Sequence, residues 1–305
     1  MTHRGFCLLA HRGVLVVSGE DRVAFLQGLV SNDVERVADT RAIHAALLTA
    51  QGRFQHDMVI AGFGESLLLD VERDRAEALA KKLSIYKLRS RVAVAPDLAG
   101  REVAVAFGGD AIDALGLPPE AGAARIDGDV VALVDPRLPA LGVRVVAPAG
   151  QAAPWLTARG FDVAPPESYE TLRLSLGVPD GSRDLVVDKA LLLENGFDEL
   201  NGVDWKKGCY MGQELTARTK YRALIRKRLL PVAVAGPLPA PGTPIMLGDQ
   251  EAGELRSGVE GHALALLRLD MMERSAGTGI PLTAAGATLT PSLPDWTILP
   301  RSAES

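Results

Sequence analysis

Lys206-Lys207-Gly208-Cys209-Tyr210-Met211-Gly212-Gln213-Glu214 is the stretch on which the reading of this chain turns. It sets one of two cysteines between a pair of lysines and a Gly-x-x-x-Gly backbone. Glycine admits backbone angles that other residues avoid and lets a ligand approach the main chain closely. Neighbouring cations favour the thiolate, the reactive form of cysteine. A run so dense in Gly, Cys, Gln and Glu is poor core material, so Cys209 is a candidate reactive group. The competing reading is a small buried cysteine in a glycine-rich turn, a common fate of free thiols.

Toward the C-terminus, Arg218, Lys220, Arg222, Arg226, Lys227 and Arg228 form a basic run. Such runs are usually a solvated strand face. The functional alternative is an anion site, because guanidinium forks match carboxylates and phosphates; a small ligand with a carboxylate tail would suit it. Beyond Arg228 the composition changes. Pro231, Pro237, Pro239, Pro241 and Pro244 stand among Val, Leu and Gly with little helical periodicity. Together with a strand over Leu264–Leu269, this predicts a small all-β module.

Toward the N-terminus, strands and helices interleave. Val14–Val17 reads as a buried strand. Ser18-Gly19-Glu20-Asp21 then opens a helix carrying Val23, Leu26 and Val30 at helical spacing. Strands are expected at 45–48, 58–60, 67–69, 92–95, 103–107, 130–134 and 143–146, and helices at 74–83, 111–115 and around Trp155. A helix over Glu167–Leu176 should end at Gly177, with Pro179 as a stop. The pattern is α+β rather than a doubly wound sheet.

Composition excludes several classes. A 47% apolar, 23% charged chain is ordinary for a globular protein. No apolar run reaches membrane-span length, and the first residues do not form a signal peptide, so no membrane association is expected. A net charge of -5 argues against a nucleic-acid partner. Cys7 and Cys209 make no disulfide framework, which predicts a reducing, cytoplasmic setting. They also cannot supply the four thiolates that usually hold an iron–sulfur cluster. Dinucleotide, phosphate-loop, serine-hydrolase and zinc-peptidase motifs are absent. The histidines His3, His11, His44, His56 and His262 show no metal spacing, so no metal site is expected. His56-Asp57 reads as a surface pair on a strand, its members facing opposite sides.

The run from Lys207 to Glu214, continued by Leu215-Thr216-Ala217-Arg218, resembles the signature of the YgfZ family, folate-binding proteins implicated in maturing or repairing iron–sulfur enzymes. Ile225-Arg226-Lys227-Arg228-Leu229 resembles the branch that includes mitochondrial maturation factors. Gly28-Leu29-Val30-Ser31-Asn32-Asp33 is similar to a segment shared with the glycine-cleavage T-protein, an aminomethyltransferase, and Gln51-Gly52-Arg53 through Asp57 resembles a T-protein segment ending in Asp-Asp. Tyr169–Arg173 with Gly177 and Pro179, and Ala252–Ser257, also match the family pattern.

The resemblance implies a three-domain T-protein-like architecture. A discontinuous first α+β domain (1–46 and 148–226) would bind folate, 47–147 would be an inserted second α+β domain, and 227–305 a C-terminal β-barrel. It implies tetrahydrofolate, or a one-carbon derivative, as cofactor. Glu194 would recognise the pterin, and Arg173 and the basic run from Arg218 would attract the glutamate tail. Lys207, Tyr210, Gln213 and Glu214 would complete the folate contacts. Cys209 would be the reactive thiol, and Asp57 would lie near the folate nitrogens. Partners would be folate and iron–sulfur assembly proteins or client enzymes, with the chain itself a monomer. His56 replaces the first carboxylate of the T-protein's Asp-Asp pair, which puts aminomethyl transfer in doubt. Two readings follow: a folate-binding accessory protein for iron–sulfur enzymes, or a folate-dependent one-carbon transferase with Asp57 as acid/base and Cys209 structural. Whether the chain is an enzyme depends on which holds.

Overall fold

The computed structural model describes residues 4–222 and 225–299; His3 lies outside them. Two compact units form. One comprises the chain up to Leu48, Gln55–Tyr169 and Leu200–Met211. The other comprises Thr49–Phe54, Glu170–Glu199 and the chain from Gly212 on.

The first unit holds two sheets. A five-stranded sheet is built from Arg12–Ser18, Ile43–Leu48, Phe54–Phe63, Ser66–Glu72 and Ala93–Pro96, with Arg12–Ser18 antiparallel to Ser66–Glu72 and to Ala93–Pro96. Helices Arg22–Gln27 and Ala76–Tyr86 share its core, where Leu15, Val17, Leu26, Ile60, Leu69, Leu79 and Leu83 are buried. Each such aliphatic side chain removed from water contributes about 1.5–3 kcal/mol before chain entropy is set against it. A six-stranded sheet is built on Gly5–Leu8, Arg101–Phe107, Val130–Val134 and Val143–Pro148, and Phe6, Ala106, Ala132, Val145, Leu156 and Phe161 are in its core.

Two local expectations shift. The first helix is shorter than its apolar spacing predicts. It stops at Gln27, and Val30 instead bridges to Leu47 of the neighbouring strand. Asp21 does not cap it; its carboxylate accepts the Arg91 backbone N–H at 2.7 Å. His56 and Asp57 are both buried rather than a surface pair, because both faces of their strand are covered.

The second unit carries a closed barrel ordered Lys227–Ala235, His262–Arg268, Gln250–Val259, Pro244–Leu247, Leu282–Ala284 and Ala287–Pro291. Its interior is apolar, with Val232, Ile245, Leu255, Leu267, Leu282 and Leu289 buried. The module is not wholly β: helix Leu269–Thr278 interrupts it. Met271 is its one buried position among the described residues. The helix Pro166–Ser175 ends as its sequence foretells. Gly177 adopts φ 73°, and the carbonyls of Arg173 and Leu174 are satisfied by the backbone N–H groups of Val178 and Gly177. A Cβ at Gly177 would lie 2.9 Å from Pro294 and 3.0 Å from Pro231.

Candidate functional site

In the first unit, the Cys209 loop is built on Asp204. Its carboxylate accepts the backbone N–H groups of Lys206 and Lys207 at 2.7 and 3.0 Å, turning the chain so that Gly208 sits at φ 92°. The Lys207 ammonium points inward, donating to the carbonyls of Gln27 and Val30 at 2.5 and 2.7 Å. It also lies 5.1 Å from the centroid of the buried Tyr210 ring. Burial pulls the ammonium down to about 8, against the opposing pull of Asp33, Asp204 and Glu35. Lys207 therefore anchors the loop, and the loop leaves Cys209 exposed. The other thiol, Cys7, is buried, and burial with the Glu167 charge pushes it up to about 11.

Asp57 sits elsewhere in the same unit, within a buried charge network that the sequence reading did not find. Its carboxylate lies 3.6 Å from the Arg12 guanidinium, with Oδ1 buried and without a hydrogen bond among the described residues. Arg12 Nε donates to Asp70 at 2.7 Å, and Arg144 joins Asp70 to Asp135, reaching the latter at 2.8 Å. Arg137 grips Asp135 with a two-pronged fork at 2.9 and 2.7 Å. Arg12, Arg137 and Arg144 balance Asp57, Asp70 and Asp135 in charge. Burial alone would raise the Asp70 and Asp135 carboxyls, but the arginines overcome it and hold both below the usual range. One signal was available. Asp70 interrupts Leu67–Val71 and Arg144 interrupts Val143–Val146, and a charge inside an otherwise apolar strand is rarely buried without a partner.

In the second unit, Glu194 occupies a 3₁₀ turn, Leu193–Asn195, closed by Gly196 in the left-handed region. It lines a cavity of about 430 Å³ with Arg53, Lys189, Lys227, Glu251 and Arg256. Burial raises the Glu194 carboxyl, while Lys227 and Arg53 pull it back. It accepts no hydrogen bond among the described residues, so its acceptor capacity is open to a ligand. Of the two cations in this wall, Lys227 belongs to the basic run read as a candidate anion site, whereas Arg53 was not expected as a site residue.

The remaining expected contacts are spread through this unit. Arg173 is 1% exposed and all its N–H groups are engaged, by Glu170, the Val178 carbonyl, Asp184 and Ser257. A ligand carboxylate would have to displace one of them. Gln213 and Glu214 open helix Gln213–Tyr221, and Arg218 faces Glu214 one turn on at 3.7 Å. The basic run thus begins on a helix, not a strand. It also loses Arg228, which is buried and donates to the Leu193 carbonyl and Glu199.

No group of three or more His, Cys, Asp or Glu side chains suited to a metal ion occurs among the described residues. No helix among them is long and apolar enough to cross a membrane.

Residues 226–298 match the family described as CAF17, C-terminal beta-barrel domain. The iron–sulfur cluster assembly factor IBA57, mitochondrial, of Homo sapiens is 35% identical, over 93% of this chain and 83% of its own length. The Mus musculus protein of that name is 34% identical, over 86% and 77%. The Neurospora crassa homolog is 35% identical over 93% of this chain, which spans 63% of that relative's length. The glycine cleavage system aminomethyltransferase T of Bartonella henselae shares the fold, with a TM-score of 0.74 at 15% identity, over 96% of this chain and 86% of that one. The α+β, T-protein-like architecture with a C-terminal barrel is therefore the observed one. The cytoplasmic expectation is overturned, because the relatives are mitochondrial. Two unbridged cysteines require only a reducing compartment and do not say which.

Proposed function

As a member of the family of IBA57 iron–sulfur cluster assembly factors, the chain acts, we propose, in iron–sulfur cluster assembly, binding tetrahydrofolate at the Glu194 cavity and offering Cys209 to cluster chemistry. The observation that carries this reading is the identity to the human factor along 93% of the chain. The resemblance of the Cys209 motif to the YgfZ signature supports the finer part, and so does the local chemistry. Glu194 presents a half-buried carboxylate with open acceptor sites, suited to the amino and ring N–H donors of a pterin. Hydrogen bonds to a charged acceptor are about twice as strong as neutral ones. Arg53 and Lys227 supply positive charge for a carboxylate tail in the same cavity. Tetrahydrofolate, when bound, would supply a carrier for one-carbon groups. Cys209, exposed on a loop that Lys207 and Asp204 hold, can give one thiolate ligand to a cluster in transit. The other ligands would come from a partner assembly protein, a client enzyme or a small thiol.

The transferase reading draws on the T-protein-like fold and on the segments 28–33 and 51–57. It needs a carboxyl within reach of the reacting nitrogen, and Asp57 is instead buried beside Arg12.

Calorimetric titration with tetrahydrofolate tests the cavity. Glu194→Ala should weaken binding by about 1–3 kcal/mol, because buried donors lose their acceptor. Unchanged affinity removes Glu194 from the site. Cys209→Ser should keep folate binding and fail to restore iron–sulfur enzyme activity in cells lacking this protein. Full restoration by the serine variant would overturn the thiol's role.

A further inference from the structure

Within the first unit lies a cleft of about 150 Å³ lined by Asn32, Arg36, Arg41, His44, Asn201 and Asp204 among others. Its polar groups are unequally satisfied. The Asn32 amide donates to the carbonyls of His44 and Asn201, each at 2.7 Å, and its oxygen accepts the Asp33 N–H at 2.8 Å. The His44 ring is drawn down to about 4, by burial first and then by Arg137, so it is neutral at physiological pH and adds no charge. Asp204 is the one carboxylate among the lining residues, and it already caps the Cys209 loop through Oδ1. Its Oδ2 takes one hydrogen bond from Arg36, at 3.2 Å. The Arg41 backbone pairs with Ala38, but its guanidinium Nε is buried without a partner among the described residues. A buried guanidinium N–H left without an acceptor costs free energy that a bound oxyanion would recover.

We propose that this cleft is a binding site for a small oxyanion, a carboxylate or phosphate held between Arg41 and Arg36, and that its occupancy loosens the Cys209 loop by drawing Arg36 away from Asp204. The chemistry follows from the lining. Two guanidinium groups against one carboxylate leave a net positive cleft, and arginine forks match planar or tetrahedral oxyanions. The volume admits a small anion. Coupling follows because Asp204 has two roles: one oxygen caps the turn before Gly208, and the other is paired with Arg36. An anion that competes for Arg36 removes the cation that steadies the capping carboxylate. The site does not depend on folate binding or on cluster chemistry.

The test uses the full chain, with inorganic phosphate and succinate as separate probes. Calorimetry measures binding, and the alkylation rate of Cys209 by iodoacetamide, followed by mass spectrometry, reads the loop. We expect saturable binding of at least one probe, weakened by about ten- to a hundredfold in Arg41→Gln, the loss that goes with one charged hydrogen-bonding partner. Saturating anion should speed Cys209 alkylation by about two- to fivefold, the span of a half-exposed ion pair, in the wild type but not in the variant. Binding of phosphate alone identifies a phosphoryl ligand, and of succinate alone a carboxylate. If Arg41→Gln does not fold, Arg36→Gln at an exposed position should show the same losses. Absence of saturable binding, equal affinity in the arginine variants, or a Cys209 rate indifferent to saturating anion would each overturn the proposal. None of these results bears on the role in cluster assembly, which is read out separately.

Discussion

Asp135→Asn is the sharpest probe of what holds the first unit together. Asp135 is fully buried and accepts four hydrogen bonds: Nε and Nη2 of Arg137 at 2.9 and 2.7 Å, the Arg137 backbone N–H at 3.0 Å, and Nε of Arg144 at 2.8 Å. Asparagine keeps the shape but loses the charge, and it turns an N–H₂ toward guanidinium donors. Arg137 and Arg144 remain buried with less negative charge against them. Removing one partner of a buried ion pair costs about 3–5 kcal/mol. For 305 residues, an unfolding entropy near 2.1 cal/mol/K per residue gives about 0.64 kcal/mol/K. The variant should then melt about 5–8 °C lower if the chain unfolds in one step. Calorimetric melts of wild type and variant measure the shift. The pH dependence adds a second check. The Asp135 and Asp70 carboxyls are held below their ordinary values, so the folded state binds fewer protons than the unfolded chain in that window. Their contribution is present above the ordinary aspartate value and is lost as pH falls below it toward the folded values. Asp135→Asn should flatten that acid-side slope. A shift of under about 1 °C, with an unchanged slope, would refute the view that this network is coupled and structural.

Cys209 should alkylate more than about tenfold faster than Cys7 near neutral pH, since Cys7 is buried and pushed up to about 11; peptide mass spectrometry after a timed pulse measures the ratio, and equal rates would contradict the exposure of the loop. Gly177→Ala should destabilise the second unit by about 1–3 kcal/mol, from a left-handed backbone carrying a Cβ that would crowd Pro231 and Pro294; urea unfolding followed by Trp296 fluorescence would show it. Lys207 carries its proton in the unfolded chain between about 8 and the ordinary lysine value but not in the folded one, so wild-type stability should gain from rising pH across that window. Lys207→Met should lack that gain in melts taken at successive pH values.

Local chemistry was enough for part of this protein. The helix ending at Gly177 needs only a residue that tolerates φ 73° and carbonyls awaiting donors. The barrel's first strand at Lys227 follows a change in composition that any short window reveals. The Gly-Cys-Tyr-Met-Gly run marks the exposed thiol because glycines and lysines act on their immediate neighbours. Tertiary structure decided the rest, since it depends on residues far apart in the chain. Arg12, Asp70, Asp135 and Arg144 meet only once their strands are paired and packed, and nothing local distinguishes Asp70 from a solvated aspartate except its apolar neighbours. The basic run looks continuous in sequence, yet Arg218 lies on a helix and Arg228 turns into the interior. The cation wall of the Glu194 cavity joins Arg53 to Lys227 across more than half the chain. Sequence carries side-chain chemistry and local backbone preference; which charges lose their water is settled only when the layers close over them.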